Sequence, residues 1–90
     1  MEVGMEANMP RFFFDLWDRV GGLDQDDVGL DLPDFEAAYL EAHCAAIDLW
    51  AEARREGQKP TYERFEVRDA SNRTVLELPF SEAVGIDPGN

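Results

Sequence analysis

The sequence predicts an α+β domain of two layers, in which a four-stranded antiparallel sheet carries one long helix on one face, with the order ββαββ. Three observations predict it. Residues 11–18, 62–69 and 74–80 alternate between apolar and polar side chains with a period of two, as strands do. Residues 35–56 repeat apolar side chains with the helical period instead. The chain has 90 residues, of which 44% are hydrophobic, so one small core is expected.

The first hairpin is predicted from the segment MPRFFFDLWD, residues 9–18, which concentrates aromatic side chains in an otherwise acidic chain. Gly21 and Gly22 provide a turn after it. Residues 23–32 then return as a second strand, and this strand is expected to be bent near Asp26–Gly29, because glycine within a strand often marks a break.

The two faces of the first strand are expected to differ in what covers them. Alternation places Phe13 and Trp17 on the face away from the helix, where the sequence offers no second helix to cover them. The opposite face is expected to pack against the helix. Its predicted core residues are Phe12, Phe14, Leu16, Phe65, Val67, Leu76, Leu78 and Phe80.

The helix is predicted over Phe35–Glu56. Asp34 precedes it and can accept hydrogen bonds from the free N–H groups of the first turn. Arg54 and Arg55 suit its last turn, and Gly57 is expected to end it. After a loop, the second hairpin follows. The domain is predicted to span residues 9–86, with a flexible extension at 1–8 and a flexible tail at 87–90.

The helix carries two apolar stripes, although a single sheet needs only one. The inner stripe is mostly alanine, with Phe35 and Leu49 expected to anchor it to the sheet. In the outer stripe, Ala37, Leu40, Cys44, Ile47 and Ala51 recur at intervals of 3, 4, 3 and 4, which is the spacing of a helix–helix contact. The outer face therefore predicts an interface in a homodimer or with another protein. Its predicted residues are Leu40, Cys44, Ile47, Trp50 and Ala51. The alternative is that the C-terminal segment SEAVGI folds back over this stripe.

The charge balance restricts the classes of partner. The chain has 8 Lys and Arg against 20 Asp and Glu, a formal net charge of −12. Such a chain repels phosphates, so neither nucleic acid nor an anionic membrane surface is an expected partner. A basic partner or a divalent cation would be attracted, and acidity alone also keeps a small protein soluble. With one cysteine, no leader pattern and no apolar run long enough to span a bilayer, the cytoplasm is the expected location.

Candidate chemistry is sparse. Asp24, Asp26 and Gly29 match positions 1, 3 and 6 of a helix-loop-helix calcium loop, but Val28 and Phe35 occupy positions that need ligands. A solvated acidic turn is therefore expected there, with weak cation binding as the alternative. His43 and Cys44 are adjacent and point about 100° apart on a helix, so they do not form a nucleophilic pair. No catalytic residue, metal site or cofactor is predicted, and the protein is not expected to be an enzyme.

Four segments carry a resemblance to a known family. MPRFFFD, DVGLDLPDFEAA, FEVRD and VLELPF, in this order over about residues 9–84, resemble a family of short uncharacterised bacterial proteins, classified only as a domain of unknown function. The resemblance implies no activity. The topology is also similar, more weakly, to antitoxin domains paired with small ribonuclease toxins. The sequence thus predicts a non-enzymatic interaction or regulatory protein. The alternatives are an antitoxin-like inhibitor of a basic RNA-binding toxin and a weak divalent-cation-binding protein.

Overall fold

The computed structural model describes residues 9–58 and 61–85 and confirms the α+β class. The predicted extension and tail, and Ile86, lie outside the described residues. One helix lies against an open antiparallel sheet, whose strand order is β2-β1-β4-β5 with β3 also paired to β1. The elements are β1 (Arg11–Asp18), β2 (Leu23–Asp24), β3 (Leu30–Asp31), α1 (Phe35–Arg55), β4 (Tyr62–Arg68), β5 (Thr74–Pro79) and α2 (Phe80–Val84).

The aromatic strand β1 lies inside the sheet and joins the two hairpins. On one side it pairs with β4, where Leu16 lies opposite Phe65. On its other side the returning chain forms only two short strands, β2 and β3, and the break between them confirms the predicted bend. Gly29 lies at this break with a φ of 77°. A Cβ atom there would also lie 2.8 Å from the Phe13 ring, so the close approach requires glycine.

Helix α1 begins at Phe35 as predicted and ends at Arg55, one residue before the predicted end. The carboxylate of Asp34 accepts a hydrogen bond of 2.8 Å from the backbone N–H of Ala37 and so satisfies one free donor of the first turn. At the other end, Gly57 has a φ of 75°, a left-handed conformation that glycine adopts without a Cβ clash. The basic residues Arg54 and Arg55 occupy the last turn, where they complement the helix dipole.

The core lies between α1 and one face of the sheet. Ala38, Ala42 and Ala46 are completely buried, so a line of small side chains lets the helix approach the strands closely. The expectation that Phe35 anchors the helix is wrong, because its side chain is 49% exposed. Phe35 is the first residue of α1 and lies nearly one turn before Ala38, the first residue of the helix that is fully buried. The buried core residues are Phe12, Leu16, Ala38, Ala42, Ala46, Phe65, Val67, Leu78, Phe80 and Ala83.

The C-terminal part of the core corrects the predicted end of the last strand. Phe80 is buried as expected, but it begins the short helix α2 rather than ending β5. Pro79 is the last residue of β5 and the N-cap of α2, since proline has no N–H to continue a sheet and its fixed φ suits a helix start. From this position the Phe80 ring lies 5.5 Å from the Phe65 ring, and Ala83 is buried beside α1.

Candidate interaction surface

The helix face that points away from the sheet carries exposed apolar side chains. Leu40 is 57% exposed and Ile47 is 40% exposed, and the Cys44 thiol between them is also exposed. Ala37 and Ala51, one turn beyond each end, are half-buried. These five residues, Ala37, Leu40, Cys44, Ile47 and Ala51, are called the outer stripe below.

The outer stripe has two different borders. On one side the three exposed carboxylates of Glu41, Asp48 and Glu52 form an acidic border, and Arg55 follows on the same side in the last turn of the helix. On the other side Tyr39, His43 and Trp50 form an aromatic border of half-buried side chains. The rings of Tyr39 and His43 lie 5.9 Å apart, so His43 packs against its own helix.

Trp50 differs from the other predicted interface residues. Its side chain is half-buried and packs against the core, and it lines a shallow open groove together with Tyr62 and Phe80. Trp50 therefore supports the fold as well as bordering the outer stripe. Truncation of Trp50 would therefore affect both stability and binding. Substitutions at the exposed Leu40 and Ile47 test the interface more directly.

The C-terminal segment does not cover the outer stripe along its described length. Phe80–Val84 form α2, which Gly85 caps, and Phe80 and Ala83 are buried in the core. The side chains of Leu40 and Ile47 remain exposed although α2 is present. Within the described residues, the alternative that SEAVGI shelters the stripe is thus not observed, while Ile86 itself lies outside them.

Arginines from β4 cover the aromatic residues on the outer face of the sheet. The guanidinium carbon of Arg64 lies 4.9 Å from the ring centroid of Trp17, and that of Arg68 lies 5.1 Å from that of Phe13. Both distances suit cation–π attraction. The cover comes from the neighbouring strand, which places Arg68 opposite Phe13 and Arg64 opposite Trp17. Sequence reasoning missed these contacts, although alternation places Phe13 and Trp17 on one face of β1 and Arg64 and Arg68 on one face of β4.

Carboxylates complete this polar outer face. Asp15 is buried and accepts a hydrogen bond of 2.6 Å from Arg68 Nε, which raises the pKa of the Arg68 guanidinium. Glu66 accepts hydrogen bonds from the Thr74 hydroxyl and, at 2.8 Å, from Trp17 Nε1. These two hydrogen bonds lower the pKa of Glu66, with a smaller contribution from the charge of Arg64. Most aromatic and charged groups on the outer face of the sheet thus have partners within the fold. Arg64 Nε is the exception among the described residues, since it is buried without a hydrogen-bond partner and lies 3.6 Å from Glu77 Oε1.

The acidic loop between β2 and β3 is organised by Asp26. One oxygen of Asp26 accepts from the backbone N–H groups of Val28 and Gly29, and the other accepts from that of Phe14. Partial burial raises the pKa of Asp26, but these backbone hydrogen bonds outweigh it and lower the pKa overall. Both oxygens of the carboxylate therefore have partners within the fold. Among the residues that the structure describes, no group of three or more His, Cys, Asp or Glu side chains is placed to hold a metal ion.

Comparisons with known proteins place the chain in a family without an assigned activity. A family model described as a domain of unknown function, DUF6894, matches residues 11–81, which include every element except the C-terminal part of α2. No curated protein and no solved structure matches the chain significantly. Over the described residues, no helix is long and apolar enough to cross a membrane.

Proposed function

Because the chain belongs to the DUF6894 family, whose description assigns no function, we propose a function from its surfaces. The protein acts as a non-enzymatic interaction or regulatory protein and binds another protein chain through the outer stripe of α1. The observation that carries this proposal is the exposure of Leu40 and Ile47 on a helix whose inner face already packs against the sheet.

The energetics favour burial of this stripe in a complex. Full burial of a leucine or isoleucine side chain contributes about 1.5–3 kcal/mol, so the exposed parts of Leu40 and Ile47 offer at most this amount each. Association itself costs about 4–15 kcal/mol in lost freedom. The stripe is therefore an anchor, and a stable complex also needs contacts from its borders.

The non-enzymatic role is supported by what the carboxylates do. Asp15 accepts from Arg68, Asp26 accepts from backbone N–H groups, and Glu66 accepts from Trp17. Each of these hydrogen bonds joins separate parts of the fold. These buried and half-buried acidic groups thus serve structural roles, whereas an enzyme places such groups toward a substrate.

Variants with matched charge test the proposal. Wild-type protein, Ile47→Asp and Val20→Asp are compared by light scattering for self-association, and by affinity capture from the organism that encodes the chain. Val20 is 91% exposed in the turn after β1, so Val20→Asp adds the same charge outside α1. We expect a dimer, or one stoichiometric protein partner, that Ile47→Asp loses and Val20→Asp keeps. A 10.2 kDa monomer with no partner sensitive to Ile47→Asp contradicts the proposal.

A narrower candidate is an antitoxin-like inhibitor of a basic RNA-binding toxin. The net charge of −12 and the acidic border of α1 favour it, because both suit a cationic partner. It requires that a small basic ribonuclease is encoded beside this chain and is neutralised by its expression. If expression of such a neighbouring ribonuclease arrests growth and co-expression of this chain does not relieve the arrest, the antitoxin-like function is contradicted.

A further inference from the structure

We propose that the occupant of the outer stripe is an amphipathic helix of a different protein, whose apolar face is flanked by lysine or arginine. This inference rests on the proposed function and names the chemistry of the partner at the same site. Three features of α1 support it: the spacing of the stripe, the charges along one border, and the poor fit of a second copy.

The spacing of the outer stripe suits a helix. Its apolar positions recur every three or four residues from Ala37 to Ala51, a distance of about 21 Å along the axis. Leu40 and Ile47 project from the stripe, while Ala37 and Ala51 at its ends leave room for close approach. A partner helix that crosses α1 at a shallow angle, and that has apolar side chains at the same intervals, can place those side chains between Leu40 and Ile47.

The acidic border selects the charge of the partner. Glu41, Asp48 and Glu52 are all exposed. In the part of the chain that the structure describes, no lysine or arginine nitrogen lies within ion-pair distance of them. A helix lying in the stripe brings its own flank alongside this border. Basic residues on that flank are attracted to the acidic border, whereas acidic residues there are repelled by it.

A second copy of the chain fits the stripe poorly. If two copies of α1 pair in opposite directions, each acidic border meets the acidic border of the other copy. If they pair in the same direction, each acidic border meets the aromatic border, in which His43 is the basic member and Arg54 follows one turn after Trp50. Each copy also brings a net charge of −12. A separate basic helix avoids this repulsion in either direction.

Synthetic peptides test the chemistry of the partner directly. The probe is a 21-residue helical peptide with leucine at the stripe spacing and lysine at the flanking positions. One control peptide replaces each lysine with glutamate, and another keeps the composition but scrambles the spacing. Titration calorimetry at about 0.15 M salt should show the probe binding at least about tenfold more tightly than either control.

Variants of the full chain locate the binding. Ile47→Asp, and separately the milder Leu40→Gln, should weaken binding of the probe about tenfold or more, while Val20→Asp keeps the wild-type affinity. Circular dichroism confirms that each variant is folded. Neutralising the acidic border with Glu41→Gln, Asp48→Asn and Glu52→Gln should weaken binding and flatten its salt dependence. The matched triple variant Asp24→Asn, Asp27→Asn and Glu82→Gln removes the same charge elsewhere and should have a smaller effect.

The possible failures of this inference and of the proposed function differ. Equal binding of the lysine and glutamate peptides, or equal effects of the two triple variants, overturns the basic partner but leaves the stripe as an interface. If the chain self-associates and Ile47→Asp prevents this, the occupant of the outer stripe is a second copy of the chain, and the basic partner is likewise overturned. If no peptide binds and no capture or self-association responds to Ile47→Asp, both proposals fall.

Discussion

Arg68 Nε donates a hydrogen bond of 2.6 Å to Oδ2 of Asp15, joining two residues that are 53 positions apart in the chain. Asp15 is only 3% exposed, so its carboxylate depends on this guanidinium for compensation. A second nitrogen of Arg68 donates to the other oxygen of Asp15 at 3.1 Å. The pair thus fixes β4 against β1 on the face of the sheet that no helix covers.

Arg68→Met is predicted to lower the free energy of unfolding by about 3–5 kcal/mol, because it leaves the buried Asp15 carboxylate without its guanidinium partner. It also removes the contact of the guanidinium with the Phe13 ring. Urea denaturation followed by circular dichroism measures the loss. Arg73→Met is the control, since the Arg73 side chain is largely exposed in its ion pair with Asp69 and should cost less than about 1 kcal/mol. Equal losses in the two variants would refute the structural role of the Arg68–Asp15 pair.

Asp26→Asn is predicted to destabilise the domain by about 1–3 kcal/mol. The asparagine side chain replaces one accepting oxygen with an NH2 group, which would face a backbone donor of Phe14 or of the Val28–Gly29 turn. Thermal unfolding measures the effect. The neighbouring Asp27→Asn makes the same change at an exposed carboxylate and should stay within about 0.5 kcal/mol of wild type. A larger effect at Asp27 than at Asp26 would contradict the assigned role of the Asp26 carboxylate.

The stabilising effect of Glu66 is predicted to depend on pH. Its pKa lies below the ordinary value of 4.5 in the folded state, so the folded chain releases this proton more readily than the unfolded chain. The contribution of the Glu66 carboxylate to stability is complete at pH values above 4.5. It is lost as the pH falls through the lower pKa of the folded state. The difference in unfolding free energy between wild type and Glu66→Gln should therefore shrink from about pH 6 to about pH 3. Urea denaturation at each pH gives this difference, and a difference that grows toward low pH would show the opposite sign of linkage.

Ala42→Leu is predicted to cost about 1–3 kcal/mol, because Ala42 is completely buried in the line of small side chains on the inner face of α1. The added carbon atoms must displace the helix or the strands beneath it. Cys44→Leu enlarges an exposed side chain two positions away on the same helix and should leave stability nearly unchanged. Chemical denaturation of both variants checks the assignment of inner and outer faces. Loss of stability in Cys44→Leu without loss in Ala42→Leu would reverse that assignment.

Local patterns in the sequence determined the fold class and the bounds of the main elements. The helix was predictable because Asp34, Gly57 and the apolar period between them act within a few residues of one another. The hairpins were predictable because alternation and turn residues are likewise local. The outer stripe also follows from helical spacing alone, and its exposed part was correctly placed on the far side of the helix.

The tertiary structure decided what covers each surface. Arg64 and Arg68 lie over Trp17 and Phe13 only because β4 pairs with β1 in one register, and that register depends on contacts across about fifty residues of chain. Phe80 reaches the core from a helix instead of a strand because Pro79 ends the sheet there. Alternation and periodicity show which side a residue faces, whereas the identity of the group on that side depends on how distant segments pack together.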